Sequence, residues 1–221
     1  MEPIWLSIRL AIITTLFLLF IGIPIAYWLS RKQTIAKLIV EALITMPLVL
    51  PPSVLGFYLL LAFSPNNNLG KWLHEYFDLQ LVFSFKGLIF ASIIYSLPFM
   101  VGPVKAAFAH LPRSIAEASY VMGKSRLQTF FDVLLPSIRP SIFTAAVLTF
   151  AHTLGEFGVV LMIGGNIPGE TKVASIAIYD AVETMDYSAA NYYALTLFVI
   201  TFVIVISVFI VNKNAVKNPF E

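Results

Sequence analysis

The residues of this chain whose types and spacing could do chemistry are few. Gly123-Lys124-Ser125 matches the end of a phosphate-cradling loop, G-x-x-x-x-G-K-[ST]. Such a loop needs an earlier glycine and a preceding strand, so that backbone N–H groups can surround the phosphates. Ala118 stands where that glycine belongs and no strand pattern precedes it, so this chain is not expected to bind ATP itself. Glu156 has the most unusual setting, His152-Thr153-Leu154-Gly155-Glu156-Phe157-Gly158, inside an apolar run. A carboxyl at that depth is costly and marks a functional candidate; the alternative is a hydrogen-bonded glutamate that holds two helices together. Gly155 and Gly158 weaken the helix there and admit close backbone approach. His152, one turn earlier, is placed to hydrogen-bond Glu156. His74, His110 and His152 are too scattered for a metal site, and no Ser-His-Asp or paired-carboxylate arrangement is convincing. No catalytic residue, metal or cofactor is expected.

The elements that must position these residues are membrane helices. The chain is 59% hydrophobic and only 12% charged, with mean hydropathy +0.87, against about 25% charge in soluble domains. A chain this apolar needs lipid as solvent, and 221 residues give room for about five or six crossings. A formal charge of +2 does not suggest nucleic acid, and the lack of cysteine removes disulfides and thiolate metal sites. No basic segment precedes the first apolar run and no A-x-A site follows it, so it reads as a retained helix. Five spans are expected: about 11–29, 39–63, 87–108, 141–163 and 192–211, in one domain over 1–221, with a polar loop at about 109–140.

Lys and Arg placement sets the expected orientation. Arg31, Lys32, Lys37, Lys105, Arg113, Lys124, Arg126, Arg139, Lys213 and Lys217 fall on one side; Arg9, Lys71, Lys86 and Lys172 fall on the other. Ten against four places the N-terminus outside and the C-terminus in the cytoplasm. Pro47, Pro51 and Pro52 interrupt the second span, and Pro98 and Pro103 the third. Each removes a backbone donor and bends its helix, either as a packing feature or because the span lines a path. Lys37 and Glu41 are spaced as an i, i+4 pair. Outside, a short helix is expected over 71–77, a rigid irregular loop over 164–169, and a helix from Val173 with Ile176, Tyr179, Val182 and Met185 on one face.

The polar loop reads as two short helices joined at Gly123. Ser114-x-x-Glu117 fits a capping box, and Gly123 suits a helix stop. Leu127, Phe130, Phe131 and Leu134 then make an apolar stripe that needs a partner, either this chain's own helix ends or another subunit. The stretch Glu117-Ala118-Ser119, Gly123 and Val133-Leu134-Leu135-Pro136 resembles the E-A-A, G, I-x-L-P loop of ABC importer permeases. Ser119 replaces the second alanine and Val133 the isoleucine; both are mild departures. The runs Pro47 to Leu60, Gly155-Glu156-Phe157-Gly158 and Gly164 to Thr171 resemble the molybdate branch of that family, with sulfate permeases close by.

The resemblance implies an all-α integral membrane protein of the type I ABC importer permease fold, with about five spans and without the extra N-terminal helix some members carry. It implies a non-enzymatic permease in the cell inner membrane, used as a homodimer around one oxyanion path. Two copies of a separate ABC ATPase would dock through Glu117, Ala118, Gly123, Leu127, Phe130, Phe131, Leu135 and Pro136, and an extracytoplasmic oxyanion-binding protein would deliver substrate. Molybdate is the expected substrate, with sulfate or tungstate as alternatives, and a secondary transporter or channel as the reading of another class. Pro51, Pro52, Pro98, Gly155, Glu156 and Gly158 are the expected gate. A lone Glu156 would repel an anion, which favours a structural or gating role for it.

Overall fold

The computed structural model describes residues 1–32 and 34–216, with side chains through Ile210; Lys217 and the side chain of Lys213, both counted above for orientation, lie outside the described residues. Helices carry the described chain, and no strand occurs among those residues. The first helix, α1, runs over Glu2–Ser30 with Pro3 in its first turn, where a missing N–H costs nothing. It begins well before the expected start at 11. Thr34 then caps α2 (Ile35–Val49), its side chain accepting from the Lys37 N–H.

The second expected span is not one helix. Pro51 and Pro52 follow Leu50, and a residue that precedes proline is pushed out of the helical region. Leu50 and Pro51 are both extended, with ψ of 140° and 133°, before α3 (Pro52–Phe63) restarts with proline at its first position. The two helices meet at 114°. A short helix, α4 (Asn68–Phe77), ends at Asp78 in the left-handed conformation. α5 (Phe85–His110) is capped by Ser84 and passes through Pro98 and Pro103 without a break.

The polar loop holds α6 (Arg113–Val121), α7 (Arg126–Thr129), a π-helical turn at Phe130–Leu134 and α8 (Leu135–Ser137). The fourth expected span is also divided. α9 (Arg139–Gly155) stops where Glu156 turns extended, and α10 (Gly158–Gly164) follows. α11 (Ala174–Glu183) and α12 (Tyr187–Val216) complete the chain. α1, α5 and α12 are each long and apolar enough to cross a membrane, and two bent pairs, Ile35–Val49 with Pro52–Phe63 and Arg126–Ser137 with Arg139–Gly155, bring the possible crossings to as many as five.

Packing gives the directions of these helices. Leu6 and Leu10 of α1 share one buried cluster with Leu88 and Ala91 of α5, and Leu18, Ala26 and Leu29 share a second with Met100, Val104 and Phe108. α1 and α5 are therefore parallel. Gly22 lets them approach: a Cβ there would sit 2.7 Å from Met100 Cγ. α9 runs antiparallel between them, with Ala145 in the second cluster, while Val159, Val160 and Ile163 of α10 lie in the first. Ser96 of α5 bonds Thr153 of α9 at 2.9 Å, a contact of about 0.6 kcal/mol in membrane helices. α2 starts beside the end of α1, and Phe63 closing α3 packs on Phe90 near the start of α5. Tyr192 near the start of α12 reaches Met1. α1, the α2–α3 pair, α5, the α9–α10 pair and α12 thus alternate in direction between a Met1 end and an Arg31 end.

Candidate functional site

Two features stand out, one where the broken passes meet and one at the Arg31 end. A Cβ added to Gly158 would sit 2.6 Å from Pro52 Cβ, and one added to Gly56 would sit 2.8 Å from Met162 Cβ and 3.1 Å from Val159 Cα. Pro52, at the start of α3, therefore folds against Gly158 of the break, a contact that the sequence did not predict. The break has a local cause. Glu156 Oε1 accepts from the Val159 N–H at 2.9 Å, capping α10, and the Glu156 carbonyl accepts from Ser175 Oγ at 2.5 Å. Glu156 is 6% exposed, and its cap bond satisfies a donor that the broken helix would leave open.

His152 does not bond Glu156, contrary to the expectation from spacing. Its ring stacks on Phe99 at 3.9 Å and Tyr95 at 4.9 Å, and its Nε2 has no partner among the described residues. Ring stacking turns the imidazole toward α5 and away from the next turn of its own helix. Pro98 is buried in α5 beside Phe99 and is not in the Pro52–Gly158 contact. Gly155 faces open space, with no atom near the position a Cβ would take.

At the Arg31 end the loop folds into two arms. The expected capping box at Ser114–Glu117 does not form: Pro112 is the N-cap of α6 with no side-chain bond, and Glu117 and Ala118 are exposed. The capping box lies instead at Ser125 and Gln128, after the turn. Gly123 does stop the first arm, with φ +81° and open space around it. Ser119 and Thr129, both buried, join the arms by a 2.9 Å hydroxyl bond, and Lys124 pairs with Asp132 across them. Ser119 thus departs from alanine for a reason: its hydroxyl has a partner ten residues on.

The expected stripe is redistributed. The π turn at Phe130–Leu134 shifts the helical phase, so Phe130 and Leu134 turn inward while Leu127 and Phe131 stay 69% and 55% exposed. Phe130 stacks between Tyr27 of α1, at 4.7 Å, and Phe108 of α5, at 6.0 Å. Leu135 and Pro136 pass this arm into α9. At the tip, Tyr120, Val121 and Met122 are exposed apolar residues that sequence reasoning missed; their adjacency to the glycine stop was the available signal. The i, i+4 pair of Lys37 and Glu41 is also absent. Lys37 Nζ reaches the Trp28 carbonyl, closing the end of α1, and Glu41 pairs with Lys105 of α5.

At the Met1 end the irregular loop is knotted by Thr171, which accepts from the Ile167 N–H and donates to the Gly164 carbonyl. The Ala174 N–H donates to Ser7 Oγ, tying the loop to α1. Lys172 and Asn166 both reach Asp180. Partial burial opposes ionisation of Asp180, but those bonds and the Lys172 charge outweigh it and hold the carboxyl below the ordinary aspartate value. The face expected on α11 is split: Ile176 is buried, while Tyr179, Val182 and Met185 are exposed.

The family described as binding-protein-dependent transport system inner membrane component matches residues 10–218. The molybdenum transport system permease protein ModB of Azotobacter vinelandii is 44% identical over 95% of this chain and 92% of its own length. A probable sulfate transport system permease protein, cysT of Prototheca wickerhamii, is 31% identical over 93% of this chain and 79% of its own. Two solved structures share the fold. One is the MetNI methionine ABC transporter in inward-facing conformations, with TM-score 0.72 and 20% identity over 96% of this chain and 94% of that one. The other is a bacterial ABC transporter involved in the import of alginate, with TM-score 0.78 and 18% identity over 96% of this chain and 78% of that one.

Proposed function

This chain belongs to the binding-protein-dependent transport system inner membrane component family, and from that premise we propose that it conducts molybdate as the permease subunit of an ABC importer. The observation that carries the substrate is the 44% identity to a molybdenum permease along almost the whole chain. The sulfate relative at 31% supports a second reading, in which sulfate is the cargo. Residues 1–221 act as one unit, with α1, the α2–α3 pair, α5, the α9–α10 pair and α12 as its five passes. The Met1 end faces outside and the Arg31 end the cytoplasm, as the basic residues argue.

Two copies enclose one path, and each receives one ATPase subunit at the loop. Glu117, Ala118 and Gly123 present the tip, and Leu127, Phe130, Phe131, Leu135 and Pro136 form the arm that transmits its motion. The Ser119–Thr129 bond makes the two arms one body. The Phe130 ring, held between α1 and α5, and the direct run into α9 give that body a route to the spans. The gate is the paired break at Pro51, Pro52, Gly155, Glu156 and Gly158, with Pro98 on the neighbouring α5. A break lets half-helices turn as rigid pieces about a few residues. Glu156 works there as a cap that holds α10, since a free carboxylate would repel an oxyanion. An extracytoplasmic binding protein meets the loops at the Met1 end.

The test is ATP-dependent uptake of labelled molybdate by the chain reconstituted with its ATPase and binding protein, with excess sulfate as competitor. Uptake that sulfate leaves intact is the expected result. Uptake that sulfate abolishes assigns the chain to sulfate.

A further inference from the structure

The Arg31 end of α1 carries a basic groove against the second loop arm; the transport reading uses the apolar side chains of that arm but gives no role to the cations beside them. A cavity of about 370 Å³ lies between α1 and the second loop arm, lined by Pro24, Tyr27, Arg31, Arg126, Leu127 and Phe131 among others. It adjoins a larger one of about 720 Å³ that shares Tyr27 and Arg31 and adds Lys32 and Arg113. Among the described residues four cations therefore line the pair of cavities, and no carboxylate lines either. Among the described residues none of the four is in an ion pair. Arg31 lies 4.7 Å over the Tyr27 ring and donates to its hydroxyl, which holds the guanidinium at the mouth.

The other end of the groove is apolar and continuous with an exposed apolar side of α1. Phe17, Phe20, Pro24, Tyr27 and Arg31 recur at helical spacing, and Phe17 and Phe20 are 52% and 82% exposed. A cationic mouth, the Tyr27 ring and an apolar track along α1 match one kind of molecule. We propose that the groove holds an anionic phospholipid, with its phosphate between Arg31 and Arg126 and an acyl chain along Pro24, Leu127, Phe131 and Phe20. Charge complementarity and continuity with the exposed apolar track of α1, a helix long and apolar enough to cross a membrane, favour a lipid over a protein partner. The lipid would lie against the arm that Phe130 ties to α1, so its presence would stiffen the loop. The inference needs only that α1 crosses the membrane, and it stands or falls apart from the substrate.

The experiment is native mass spectrometry of the full chain, purified from membranes with its bound subunits and titrated with phosphatidylglycerol or phosphatidylcholine of equal chain length. Phosphatidylglycerol should be retained preferentially. Arg31→Gln with Arg126→Gln should weaken it about fivefold for each arginine removed. Arg31→Lys with Arg126→Lys keeps the charge and should keep the lipid. Lys71→Gln with Lys86→Gln, at the other end, should change nothing. Equal retention of both lipids, or no effect of the glutamine pair, would overturn the proposal. So would displacement by inorganic phosphate alone, which would make this a free-anion site, or retention only by chains that have lost their ATPase, which would make it a protein interface.

Discussion

Gly155 and Gly158 flank the same break, yet only one is sterically required. A methyl at Gly158 meets Pro52 at 2.6 Å, whereas one at Gly155 meets nothing. Gly158→Ala is therefore expected to push α3 from α10 and cut uptake at least about tenfold, at an overpacking cost of about 1–3 kcal/mol. Gly155→Ala should leave uptake within about twofold, because it adds no contact to repack; parallel uptake assays check both. Glu156 acts through one oxygen, which accepts from the Val159 N–H. Glu156→Gln keeps an acceptor and should assemble normally, while Glu156→Ala should lose about 1 kcal/mol of helix capping; thermal melts of the purified protein separate the two. Sequence spacing located both glycines and the glutamate. It could not give the Pro52–Gly158 contact, which joins residues far apart in the chain, nor the rings that draw His152 away from Glu156.

Helix breaks are legible wherever a local rule makes them. Consecutive prolines after Leu50 force extended backbone, and Gly123 marks a left-handed stop. Phase is not legible where a π turn intervenes: the stripe from Leu127 to Leu134 presumes one helix, and the turn at Phe130 divides it between core and surface. The capping box expected at Ser114 forms at Ser125 because Pro112, already favourable just before a helix, starts α6 ahead of Ser114. At the Met1 end, the Lys172–Asp180–Asn166 cluster fastens α11 to its loop. The folded Asp180 carboxyl titrates below its unfolded value. Its contribution is thus complete above the unfolded value and is lost as pH falls through the folded one. Hydrogen exchange in 164–173 is expected to stay slow from neutral pH down to about pH 4, near the unfolded aspartate value, and to quicken below it relative to the spans. Asp180→Asn should remove that acid step.

Composition alone assigns the whole molecule to the membrane, because its 12% charge is far below that of water-soluble domains. Which helices can cross needs the structure: α1, α5 and α12 are long enough singly, whereas hydropathy merges α2 and α3, which meet at 114°, into one span. Parallel packing of α1 and α5 leaves both long helices ending beside the loop arm, with Phe130 between Tyr27 and Phe108. The loop is thereby joined to the spans rather than hanging from them. A Cβ at Gly123 would have no atom within 4 Å, though a side chain there strains the left-handed backbone by about 1–2 kcal/mol. Gly123→Trp should therefore still fold while blocking docking. The most direct measurement follows ATP hydrolysis and molybdate uptake together in vesicles that contain this chain and its binding protein, with the ATPase present or omitted. The predicted result is uptake only with the ATPase, and in Gly123→Trp either hydrolysis without uptake or no stimulation of hydrolysis. Uptake that persists without the ATPase would contradict the account.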